Sequence, residues 1–100
     1  MSELFIFLSQ GIAGPESAYR PGARHALILF ATGDDMDDAQ GHALAATDEH
    51  GWHHVEIARA KSLGDGPGGI DDPALRSSGE AAMEDGAAVV VYNDEMEPDA

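Results

Sequence analysis

Apolar residues in this chain come as short unbroken runs divided by glycine, proline and acids. The first run, Leu4-Phe5-Ile6-Phe7-Leu8, is rich in aromatic and β-branched residues and predicts a strand within residues 1–8 that is buried on both faces. Residues 10–24 then carry Gly11, Gly14, Pro15, Pro21 and Gly22, which predicts a long loop. A second continuous run, Ala26-Leu27-Ile28-Leu29-Phe30, predicts a strand over residues 25–31.

The period then changes from two to about 3.6. Met36, Ala39, Ala43 and Ala46 or Thr47 recur at helical spacing, with Leu44 beside them. Asp35 offers an N-cap, and Asp37 and Asp38 put negative charge in the first turn, where the helix dipole favours it. His50-Gly51 is a stop signal, so residues 35–50 read as a helix, with Trp52 placed to pack back on its end. Val55 and Ile57 alternate with His54 and Glu56, which predicts a strand over residues 53–60 with one wetter face. Residues 62–71 are glycine-rich and read as a connector. Asp72-Pro73 then opens a second helix, striped by Leu75, Gly79, Ala82 and Met83 and closed by Gly86. The run from Ala87 to Tyr92 predicts a last strand, and residues 93–100 an acidic flexible tail.

The order β-β-α-β-α-β, in a chain of 100 residues, predicts a single α/β or α+β domain. Its expected architecture is a two-layer sandwich of a four-stranded sheet and two helices. Three of the strands are apolar on both faces, and such strands normally lie in sheets covered on both sides. Two helices cover about one face of four strands. The other face then needs either the 10–24 loop or a second copy of the chain, so a homodimer is expected.

Charge narrows the partners. Nineteen acids face five Lys and Arg, a formal charge of −14. Such a field opposes nucleic acid and anionic membrane, both of which are bound through Lys and Arg. It suits either a basic protein partner or life at high salt. No run of apolar residues reaches the length of a membrane span, and the run near residue 5 has no basic flank or cleavage signal, so a cytoplasmic location is expected. There are no cysteines, which removes disulfides, zinc–thiolate sites and thiol nucleophiles from consideration.

Few residues suggest chemistry. His50, His53 and His54 lie near Asp48 and Glu49, yet a helix end and two neighbouring strand positions do not aim at one point, so no metal site is expected. The acids at 34–38 lack the alternation, glycine and closing glutamate of a calcium loop. Residues 64–69 lack the Lys and Ser or Thr of a phosphate-binding loop, so no cofactor is expected. Tyr19, Arg20, Arg24 and His25 put two of the four arginines beside an aromatic in the long loop, where they could hold a small anion. His54, sharing a strand face with Glu56, is a further candidate ligand residue. No serine has a nucleophile's context, and no catalytic residue is assigned. The first functional expectation is therefore a small acidic interaction or regulatory module. The alternative is a small-anion-binding protein or small enzyme with its pocket near residues 10–25.

Overall fold

The computed structural model describes residues 2–96. Its elements are β1 (Glu3–Ala13), β2 (Arg24–Gly33), α1 (Met36–Glu49), β3 (Trp52–Gly64), a single 3-10 turn (Pro67–Gly69), α2 (Pro73–Asp85) and β4 (Ala87–Met96). The strands form one antiparallel sheet in the order β3-β1-β2-β4. Four strands, two helices and the order β-β-α-β-α-β are those expected, in an α+β arrangement. Among the described residues no helix is long and apolar enough to cross a membrane.

Both helices begin on the aspartates that the sequence marks. The Asp35 carboxylate accepts from the amide of Asp38 at 2.8 Å, and that of Asp72 accepts from the amides of Ala74 and Leu75. Such a cap satisfies amides that the first turn leaves without intrahelical partners. Gly51 and Gly86 follow the helices at φ of 85° and 97°, left-handed values that a side chain disfavours.

Three strands run further than their apolar runs. β1 continues through Gln10, Gly11 and Ile12, because a central strand pairs on both sides and its neighbours hold it extended despite the glycine. Gly11 has a reason to be there: a Cβ would stand 3.1 Å from both Leu27 and Val55. β3 runs on to Gly64 along the start of β1, with bulges. β4 runs on to Met96, where Glu95 and Met96 pair with His25 and Arg24. Residues 93–96 are thus strand and not flexible tail, while residues 97–100 lie outside those described.

The strands alternate between two cores. Phe5, Phe7, Leu27, Leu29 and Ala31 meet Ala39 and Ala43 of α1 on one face. Leu4, Ile28 and Phe30 meet Ala82 of α2 on the other. The sandwich therefore carries one helix on each face, where both had been expected on one. The small residues Ala39, Ala43, Gly79 and Ala82 let the helices approach the sheet closely. Met36 and Met83, assigned to the apolar stripes, point outward and are exposed.

Neither helix spans the sheet. A helix of 13 or 14 residues is about 20 Å long, whereas strands of 10 to 13 residues reach about 33–43 Å. On the α1 face the shortfall is filled by the loop between β1 and β2. Tyr19 packs over His25 and Trp52, at ring-centroid distances of 4.9 and 5.6 Å. The loop had been expected over a face without helices; it instead completes the face that carries α1. On the α2 face, Leu8 at the same end of the sheet remains 42% exposed.

Candidate binding cleft

A cleft of about 500 Å3 opens between α1, the end of α2 and the start of β4. α1 supplies His42, Ala45, Ala46, Glu49 and His50, residues spaced so that they share one stripe of the helix. Asp85 and Gly86 close the opposite wall, with Thr32 and Ala87 from the strand ends. Thr32 binds the Gly86 carbonyl through its amide, at 3.0 Å, which joins β2 to the end of α2.

The two carboxylate residues of this wall, Glu49 and Asp85, suit a cation. Glu49 lies in the last turn of α1 and Asp85 in the last turn of α2, and neither turn contains a basic residue. A helix C-terminus carries partial negative charge, so acids there are destabilising by roughly 0.3–1 kcal/mol each at an exposed surface. Both helices thus contribute an unfavourably placed acid to the lining of one cleft. No Lys or Arg lines it.

The histidines are held in a matching way. His42 Nδ1 lies 2.7 Å from the Thr32 carbonyl, and His50 Nδ1 lies 2.7 Å from the Ala46 carbonyl. A carbonyl oxygen only accepts, so each Nδ1 donates, and the neutral ring keeps Nε2 as an acceptor. His42 Nε2 also lies 3.9 Å from Asp38. Eight residues separate the two rings along α1, a rise of about 12 Å, too far to share one ion. No group of three potential metal ligands comes together among the described residues.

The residues singled out in the sequence fall into three places. Arg20 and Arg24 line a second hollow of about 170 Å3, with Ile12, Gly22, Ala23 and Met96. Arg20 is committed there: its Nε donates to Glu95 at 3.0 Å and its Nη2 to the other carboxylate oxygen. The hydrogen bond to Arg20 holds the Glu95 carboxyl below its ordinary range, and the same contact raises the guanidinium. An anion entering this hollow would therefore compete with Glu95 for Arg20. Tyr19 and His25 belong to the α1-face core, not to the hollow. The Tyr19 hydroxyl donates to Asn93 at 3.3 Å, and His25 is buried with Nδ1 at 2.7 Å from the Tyr92 carbonyl. His25 Nε2 has no hydrogen-bond partner. His54 stands apart and exposed, at φ 50° beside an irregularity in the β1–β3 pairing.

Sequence reading missed His42, Glu49 and Asp85 as a group. The available signal was the spacing of His42, Ala46, Glu49 and His50 along one helix face, together with acids in two last turns that lack Lys and Arg. No family model, curated protein or solved structure matches the chain.

Proposed function

We propose that this chain is a small acidic cytoplasmic interaction module, and that its cleft takes a Lys or Arg side chain of a basic protein partner. The observation carrying this reading is that Glu49 and Asp85, from the last turns of two helices, line one cleft together with Ala45, Ala46 and Ala87. An ammonium or guanidinium set between these carboxylates would relieve the repulsion between each acid and its helix dipole. The aliphatic stem of the same side chain would pack on Ala45, Ala46 and Ala87, as long basic side chains do on apolar surface. The net charge of −14 adds steering toward such a partner over distances of about a Debye length.

We also propose that the working form is a homodimer, because the sheet is apolar on both faces and one helix per face leaves part of it bare.

The double variant Glu49→Gln/Asp85→Asn separates a binding role from a structural one. Two exposed ion pairs are together worth about 1 kcal/mol, so affinity for a Lys-rich peptide should fall roughly fivefold. Removing two acids from helix C-termini should at the same time raise the melting temperature by about 2–16 °C. A variant that binds unchanged, or that is less stable than the parent, would refute the reading.

A further inference from the structure

We propose that the basic partner arrives as an extended segment that pairs with the free edge of β4, as a fifth strand, and so delivers its Lys or Arg to the cleft. This deepens the cleft reading and rests on it.

The sheet has two edges, β3 and β4, and only one is protected. β3 pairs with β1 through three register shifts, takes a left-handed φ of 50° at His54, and carries Glu56, Arg59 and Lys61. Bulges and charges of this kind keep a further strand from adding. β4 keeps an unbroken register with β2 from Ala87 to Val91 and shifts only beyond it. That stretch, Ala87-Ala88-Val89-Val90-Val91, holds no charge and no proline. Among the described residues, none outside the sheet hydrogen-bonds its backbone. An edge strand leaves the N–H and C=O of every second residue unpaired, so about 17 Å of strand is open to pairing.

The same residues are short of cover. Val89 and Val91 pack against the α1-face core and Val90 against the α2-face core, yet all three are only half-buried. A strand laid beside them would extend both cores, its side chains alternating between the two faces. Ala87 packs on the α1 face and lines the cleft. Residues paired across a ladder share a face, so the one set opposite Ala87 aims into the cleft.

Acids bracket the run and decide the occupant. Glu84 and Asp85 precede it and Asp94 follows it, all exposed, while α1 and β4 contain no Lys or Arg. A second copy paired antiparallel on Ala87–Val91 would bring the Asp94 end of each chain against the Asp85 end of the other, and like charges so placed oppose association. An extended segment with apolar residues between two basic ones meets valines in the middle and carboxylates at both ends. In such an addition main-chain pairing supplies affinity and alternate side chains supply selection.

The probe is a blocked peptide of about seven residues, with lysine at both ends and valine and threonine between, and two isomers of it N-methylated at alternate residues in opposite phase. Only one phase blocks the amides that would face β4. Calorimetry should find that isomer bound roughly tenfold or more weaker than the parent peptide, and the other bound about equally. Hydrogen exchange of the unmodified chain should show the parent peptide protecting alternate amides within residues 87–91. A lysine-only peptide lacks the apolar middle and should reach the cleft without that protection. Two isomers that bind alike, with amide shifts at the cleft but no protection at residues 87–91, would overturn strand addition and leave the cleft reading standing. Binding that Glu49→Gln/Asp85→Asn leaves unchanged would overturn the cleft reading, and with it the delivery proposed here. Protection that grows with the chain's own concentration, in the absence of peptide, would assign the edge to a second copy and overturn the proposal.

Discussion

Gly33 ends β2 where the chain turns toward α1, and a methyl group there would stand 2.5 Å from the backbone nitrogen of Ala39 and 2.9 Å from its Cα. Those atoms belong to the first turn of α1 and cannot rotate aside. Gly33→Ala therefore pushes the helix off the sheet and loosens Ala39 and Ala43, which are fully buried against Phe5, Phe7 and Leu29. Overpacking of this kind costs about 1–3 kcal/mol. Gly41 lies in the interior of the same helix, exposed, with nothing within 4 Å of an added Cβ. There the same substitution only raises helix propensity, a gain of about 0.8–1 kcal/mol. In a domain of 100 residues each kcal/mol moves the melting temperature by about 4–8 °C. Thermal unfolding followed by circular dichroism should show Gly33→Ala melting roughly 5–20 °C lower and Gly41→Ala about 4–8 °C higher. Gly33→Ala should also shift the His42 resonances, since that ring is held by the carbonyl of neighbouring Thr32. Equal melting temperatures for the two variants, or destabilisation by Gly41→Ala, would refute the close packing of α1 on β2.

Other consequences concern the residues near the second hollow. Arg20 and Glu95 are both exposed, so Arg20→Ala should leave the melting temperature at neutral pH essentially unchanged, as exposed ion pairs contribute little. The Glu95 carboxyl is lowered by folding, so whatever stability the pair adds is present above the ordinary carboxylate range and fades as pH falls through the lowered value. Arg20→Ala and the parent should therefore converge in acid titrations of stability, and divergence toward low pH would contradict the contact. His25 Nδ1 faces the Tyr92 carbonyl, so long-range nitrogen–proton spectra should find the proton on Nδ1. A spectrum with Nε2 as the only protonated nitrogen would place the ring the other way round.

The helices were legible because their signals are local. Asp35 and Asp72 cap in the manner their neighbours announce, and Gly51 and Gly86 take the left-handed values that stop a helix. Strand ends were less legible, because pairing is not a local property. Gln10-Gly11-Ile12 reads as a loop by composition, and Asn93 to Met96 reads as a tail. Each is held extended by a neighbouring strand that no window of sequence contains. The division of the helices between faces was hidden for the same reason: the alternation of Leu4, Phe5, Ile6 and Phe7 requires two covers without saying which helix supplies either. At the sites, residue type alone does not give the surroundings. Tyr19 and His25 look like ligand groups but serve as the roof of a core, and Arg20 is taken by Glu95. The cleft depends on Asp85 lining the same hollow as Glu49, 36 residues away in the chain, a proximity visible only once the sheet is assembled.

Capture of a basic side chain by the Glu49–Asp85 cleft is the central claim, and amide chemical-shift mapping tests it most directly. The labelled chain would be titrated with a short Lys-rich peptide and, separately, with a Glu-rich peptide of equal length. The account predicts saturable shifts clustered at His42, Ala46, Glu49, His50 and residues 85–87, with the Lys-rich peptide only, weakening as salt screens the contact. Shifts spread evenly over every acidic stretch, including Asp71 before α2 and Glu80 within it, or none at all, would contradict it.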